Sequence, residues 1–163
     1  MSNQIMSDHI EKTAAEPSLH VPRRVLFFGA ILKFLMEAGV PLGPNRLVTI
    51  RGRKSGLPRT TPLAVIAVNG RRWVWSPWGE SQWVRNLRAA GRATIVVRGR
   101  TEEVSATELD PKERVGYFRD VLGAFARSIP FGVQFIRIVD GVDLNDPVAA
   151  AEGRRVFELH PVR

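Results

Sequence analysis

Apolar residues crowd the stretch from Val25 to Met36, broken only by Gly29 and Lys33. The run is apolar nearly all round and too long for a typical strand, which predicts a helix over about residues 22–38. A run of about a dozen residues falls short of the roughly 20 needed to cross a bilayer. Such a helix can pack on its own domain, cover a hydrophobic groove or lie in a membrane interface. Residues 1–20 are polar and aperiodic and are expected to form a flexible leader, leaving residues 21–163 as a single domain.

Beyond the breaker cluster Gly39, Pro41, Gly43 and Pro44, the pattern switches to a period of two. Arg46–Ile50 reads as a first strand, a basic connection follows from Arg51 to Arg59, and Pro62–Val68 and Arg72–Ser76 read as strands around Asn69-Gly70. Asn-Gly between β-rich runs predicts a two-residue hairpin. Ser81 is a candidate cap for a short helix carrying Trp83, Val84 and Leu87, which Gly91 ends. Ala93–Arg98 and Thr101–Leu109 follow, linked at Gly99-Arg100 by a connection too short for a parallel crossover. Asp110-Pro111-Lys112-Glu113 opens a helix to about Arg127, with Val115, Phe118, Val121, Leu122 and Phe125 as its buried stripe. Residues 128–145 fit strand or helix, 146–152 look helical, and Arg155–Leu159 reads as a closing strand. Five or six short antiparallel strands with peripheral helices point to a mainly antiparallel α+β fold, a small closed or split β-barrel.

Composition narrows the chemistry. Among 163 residues, 24 Lys and Arg against 16 Asp and Glu leave a net charge of +8, which favours anionic partners. Cysteine is absent, which removes disulfides, thiol catalysis and cysteine metal sites. No basic start followed by an apolar run and a cleavage site is present, so the expected location is cytoplasmic, with the 22–38 helix leaving a peripheral position at the inner membrane face open.

The densest chemistry lies in Arg51-Gly52-Arg53-Lys54-Ser55-Gly56-Leu57-Pro58-Arg59-Thr60-Thr61. Glycines let the backbone turn and expose amides, arginines grip phosphate oxygens in pairs, and Lys54 adds a point charge. The order matches neither a P-loop nor a dinucleotide-binding fingerprint, which argues against nucleotide triphosphate hydrolysis. A solvated basic hairpin is the plain alternative.

The run Gly52-Arg53-Lys54-Ser55-Gly56-x-x-Arg59-Thr60-Thr61-Pro62-Leu63, then Ser76-Pro77-Trp78-Gly79, then Trp83-Val84-Arg85-Asn86-Leu87, resembles the deazaflavin-dependent nitroreductase family of actinobacteria. The likeness covers roughly Leu47 to Leu122. It implies the split barrel of pyridoxamine-phosphate oxidases and the deazaflavin cofactor F420, with FMN or FAD as the alternatives. It also implies that Arg53, Lys54, Ser55 and Arg59 hold the phosphate and glutamate tail and that Thr60, Thr61 and Pro62 lead along the cofactor. Ser76, Trp78 and Gly79 would run beside the deazaflavin, with Trp83 and Asn86 supporting it. Many family members carry a longer Lys- and Gly-rich loop where this chain has the short Ser76–Glu80.

The implied activity is hydride transfer to a hydrophobic acceptor such as a quinone, an unsaturated lipid or an activated alkene or nitro compound, by an oxidoreductase that needs no protein nucleophile. A non-catalytic flavin, F420 or lipid carrier on the same barrel is the second reading. A nucleic-acid-binding module is not expected, because no helix-turn-helix or aromatic RNA motif accompanies the charge. A homodimer stays open on fold grounds. The histidines, His9, His20 and His160, lack the partners of a metal site, and Tyr117 is expected to pack and not to donate protons. The apolar helix, through Phe27, Phe28 and Phe34, and the Ile129-Pro130-Phe131 segment are expected to wall the acceptor site.

Overall fold

The computed structural model describes residues 23–39 and 43–162; the expected leader lies outside the described residues. The elements run α1 (Arg23–Glu37), β1 (Asn45–Arg51), β2 (Pro58–Val68), β3 (Arg71–Ser76), α2 (Gln82–Ala90), β4 (Arg92–Val97) and β5 (Arg100–Glu108). After these come α3 (Pro111–Gly116), a π-helical segment (Tyr117–Leu122), α4 (Gly123–Arg127), α5 (Gly132–Asp140), α6 (Pro147–Ala151) and β6 (Arg155–Pro161). All strand pairs are antiparallel and close a barrel in the order β1-β2-β3-β6-β5-β4, with β4 returning to β1. This is the expected split-barrel class, and closure removes the sheet edges that so short a set of strands would otherwise expose.

The turns explain the register. Asn69 and Gly70 both take positive φ, 51° and 77°, the geometry of a hairpin whose twist matches its strands. Arg98 and Gly99 do the same between β4 and β5, at 50° and 76°. That turn sits one residue earlier than expected, because glycine is needed at its second central position. A further correction concerns β2, which starts at Pro58 and pairs Arg51 with Pro58 and Ile50 with Arg59. Only 52–57 is loop, so Arg59, Thr60 and Thr61 stand on a rigid strand.

Side-chain alternation builds two cores on opposite faces of the same strands. Val48, Ile50, Leu63, Val65, Val74, Ala93, Ile95, Val104, Phe157 and Leu159, drawn from all six strands, fill the barrel, and Val84 and Leu87 of α2 join them. Outside it, Ile66, Trp73, Trp75 and Val156 meet Tyr117, Phe118, Leu122, Ala126 and Ile136 from the later helices. Trp73 and Trp75 thus share one face, as their spacing predicts.

Asp110 and Glu113 form a reciprocal capping box at the start of α3, as the sequence suggests. The expected single helix to Arg127 carries a wide turn, in which the Gly123 N–H bonds back five residues to the Phe118 carbonyl. That turn brings Tyr117 into the buried stripe, a residue the regular period leaves out. Its side chain is buried, with a hydroxyl that has no partner among the described residues, and burial pushes its pKa well up. Packing is its role. The ambiguous 128–145 stretch resolves as α5 and a following loop.

Candidate functional site

The basic loop is shaped by its own backbone. Gly52 N–H donates to the Leu57 carbonyl and Gly56 N–H to the Gly52 carbonyl, both at 2.8 Å. The Leu57 N–H also donates to Ser55 Oγ at 3.3 Å. Gly52 is buried, and a Cβ there would lie 2.9 Å from Ser55 Oγ and 3.2 Å from the Leu57 carbonyl oxygen. Only glycine fits this turn without a shift. Gly56 takes a positive φ of 69° and lets the chain reverse into β2.

Helix α2 fixes the loop from the side. Arg53 Nη1 donates to Asn86 Oδ1 at 2.8 Å and to Gln82 Oε1 at 3.0 Å, and the Arg53 backbone N–H reaches the same Asn86 oxygen at 3.3 Å. Both partners are neutral amides, so Arg53 is positioned while its charge stays uncompensated. The side chains of Lys54 and Arg59, both exposed, make no hydrogen bond or ion pair with any described residue.

These residues open onto a cleft of about 1160 Å³. Its walls are Gly29, Ala30 and Lys33 of α1, Gly52–Ser55 of the loop, Ile50 of β1, Arg59–Leu63 of β2, and Trp78, Glu80, Ser81, Gln82, Trp83, Arg85 and Asn86 around the start of α2. Lys33, Arg53, Lys54, Arg59 and Arg85 put cations on walls from four elements, and Pro62, Trp78 and Trp83 supply apolar and aromatic surface among them.

Glu80, an acid on the wall, is tied down from behind. Its carboxylate accepts from Arg88 at 2.7 and 3.0 Å and from Arg155 at 2.8 Å. Those bonds, Arg88 first, outweigh partial burial and hold its pKa down at about 2. Arg88 also bridges to Glu108 at 2.6 Å, and Arg155 lies 3.8 Å from Glu108. Two acids and two arginines cancel locally, which leaves the cleft positive overall.

Of the residues singled out from the sequence, Arg53, Lys54, Ser55, Arg59, Thr60, Thr61, Pro62, Trp78, Trp83 and Asn86 come together on this cleft. Ser76 and Gly79 do not line it. Ser76 is the last residue of β3, fully buried and donating to Ser81 Oγ at 3.5 Å, so it braces the loop from inside. Gly79, also buried, provides a left-handed turn at φ 65° that aims Trp78 and Glu80. Ser81 stands at the N-cap of α2 with its side chain making no capping bond.

The sequence reading missed Lys33, Gln82 and Arg85, whose polar helical positions look like ordinary solvated faces. Neither Phe34 nor the Ile129-Pro130-Phe131 segment, both expected to wall the acceptor site, lines this cleft. The expected Phe27 and Phe28 side chains lie outside the described set. Among the described residues no group of acids and histidines could hold a metal, and no helix is long and apolar enough to cross a membrane.

The residues fit a long, flat, polyanionic cofactor. Two cations whose side chains have no partner among the described residues, and a third held only by neutral amides, match a phosphate and carboxylate tail. The apolar stretch beside them matches a planar ring.

Comparison with known proteins bears on this site. The sequence model of a family described as F420H(2)-dependent quinone reductase matches residues 36–128, more than half of the chain. No curated protein matches. The structure of an F420-H2 dependent reductase, FDR-A, is 20% identical with a TM-score of 0.49, covering 75% of this chain and 100% of that one. A structure described as a domain-swapped dimer is 18% identical with a TM-score of 0.50, covering 84% and 99%. HutZ, a heme storage protein from Vibrio cholerae, is 14% identical with a TM-score of 0.48, covering 82% and 89%.

Proposed function

Because the chain belongs to the F420H(2)-dependent quinone reductase family, and is on that ground an oxidoreductase with F420 as its cofactor, we propose that its cleft brings reduced F420 together with an apolar, quinone-like acceptor. The deazaflavin, when bound, supplies the hydride. Everything else falls to the chain.

Lys54 and Arg59 hold the anionic tail together with Arg53, whose guanidinium is already oriented by Asn86 and Gln82. Ser55 donates to the same oxygens, and Thr60, Thr61 and Pro62 line the way from tail to ring. Trp78 and Trp83 give the ring a flat, dry surface on which donor and acceptor can be held in contact. Ser76 and Gly79 shape this loop from behind. Helix α1, which brings Gly29, Ala30 and Lys33 to the cleft, is the proposed cover that excludes water from the reacting atoms.

The observation that carries this reading is that cations without a partner among the described residues share one cleft with Pro62, Trp78 and Trp83. Oxidation of F420H2 under anaerobic conditions, followed by absorbance with a panel of acceptors, tests it. Turnover with menaquinone-type quinones and little with charged acceptors is expected. Turnover confined to charged, water-soluble acceptors would overturn the acceptor assignment.

A further inference from the structure

The apolar run Val25–Met36 carries a single charge, Lys33. A helix packed on its own domain turns such a residue to solvent and its large apolar side chains inward. Helix α1 does the reverse. Phe34 is 70% exposed and Ile31 is exposed as well, while Lys33 is half-buried and lines the cleft.

The neighbours of Lys33 on that wall are Gly29 and Ala30, and the three fall at i, i+1 and i+4 on one helical face. Gly29 and Ala30 are small, and a Cβ on Gly29 would meet nothing within 4 Å. The α1 wall is therefore open space beside two small residues, with one long cation. It leaves room for a ligand and supplies a group that can reach it.

Lys33 has a partner, and a weak one. Its Nζ lies 2.8 Å from Glu37 Oε1, one turn along the same helix, with both side chains partly exposed. Exposed pairs contribute little, and lysine preceding glutamate is the less favourable order at this spacing. Glu37 is also the last residue of α1, where the helix dipole disfavours a carboxylate. A phosphate or carboxylate lying among Arg53, Lys54, Arg59 and Arg85 is a competing anion inside the cleft. The Ser76–Glu80 loop sends no cation to it. The described side chains of α1 make no hydrogen bond or ion pair with the barrel, so Lys33 is the described group through which charge can fasten this helix to a bound ligand.

We propose that Lys33 exchanges Glu37 for the anionic tail of the bound cofactor, so that the tail itself fastens α1 over the cleft, a step that rests on the assignment of F420 to this cleft. Fluorescence titrations with F420 at moderate salt test it, for wild type, Lys33→Met, Lys33→Arg, Glu37→Gln and Lys33→Met/Glu37→Gln, beside Lys54→Ala. Methionine keeps the apolar stem and removes the charge. Lys33→Met is expected to weaken binding about fivefold, Lys33→Arg to stay near wild type, and Glu37→Gln, by freeing Lys33, to tighten binding about twofold. In the Lys33→Met background Glu37→Gln should change nothing, a non-additivity that a lysine serving only to stabilise its helix would not produce. At saturating F420 the backbone amides of α1 should gain hydrogen-exchange protection in wild type and less of it in Lys33→Met. Binding that Lys54→Ala weakens and Lys33→Met leaves unchanged overturns this inference while the cofactor assignment stands. A Glu37→Gln effect that persists without Lys33, or equal protection of α1 in both proteins, does the same. Failure of wild type to bind F420, or binding indifferent to Lys54→Ala as well, overturns both.

Discussion

Asn86 Oδ1 holds Arg53 by two donors at once, the guanidinium at 2.8 Å and the backbone N–H at 3.3 Å, across 33 residues of sequence. One buried amide on α2 therefore sets both the position of the basic loop and the direction of its first cation. Asn86→Ala should cost about 1.5–3 kcal/mol, the value of hydrogen bonds to a charged donor, and should weaken F420 binding as well. Asn86→Asp keeps the acceptor but offsets the Arg53 charge. Its melting temperature should hold while its F420 affinity falls; equal losses in both would contradict the separation of positioning from charge.

Gly52 offers a test of loop shape with no change in charge. A methyl group there meets Ser55 Oγ and the Leu57 carbonyl, so Gly52→Ala should displace the loop at a stability cost of about 1–3 kcal/mol. F420 affinity should drop about fivefold or more, the equivalent of roughly 1 kcal/mol. Wild-type affinity in a fluorescence titration would show that the loop conformation does not matter.

Glu80 makes stability depend on acid. Its folded pKa, about 2, is depressed by Arg88 and Arg155, so its contribution is present above the unfolded carboxylate pKa and is lost as pH falls through the folded value. Urea midpoints of wild type and Glu80→Gln should differ at pH 7 and converge between about pH 4.5 and 2. Partial exposure keeps the difference modest. A gap that stays constant across that range would rule out the ionised pair as its source.

Phe118 is fully buried and meets Trp75 edge-on, with centroids 5.5 Å apart, and Tyr117 at 5.3 Å. Phe118→Ala should destabilise by about 3–5 kcal/mol in chemical denaturation. The cleft is lined by other residues, so cofactor affinity of the folded fraction should remain near wild type.

Strands and turns were legible because each carries a local cause. Short runs rich in β-branched and aromatic residues between turn residues mark β3 and β4, and Asn69-Gly70 and, one residue earlier than read, Arg98-Gly99 supply the positive φ values their hairpins require. The basic loop was legible for the same reason, since Gly52, Gly56 and the cations announce a turn built around charge. What stayed hidden depends on contacts distant in sequence. Lys33 reaches the cleft only because α1 packs beside β1 and β2, and Gln82 gains its role only when Arg53 lies against it. The wide turn at Tyr117–Leu122 answers to the packing of Tyr117 and Phe118 on Trp73 and Trp75, which no helical periodicity encodes. The apolar Ile129–Phe131 segment could be read as a surface of some kind, but its composition could not tell a cleft wall from an outward face.

The most direct test of the account is a titration of the purified protein with F420, FMN and FAD, read by tryptophan fluorescence, for wild type, Lys54→Ala and Arg59→Ala. The account predicts selective binding of F420, weakened about tenfold by each substitution, or ~1.4 kcal/mol, and weakened in wild type by added salt. F420 binding that neither substitution changes would contradict the assignment of the basic loop as the seat of the cofactor's anionic tail.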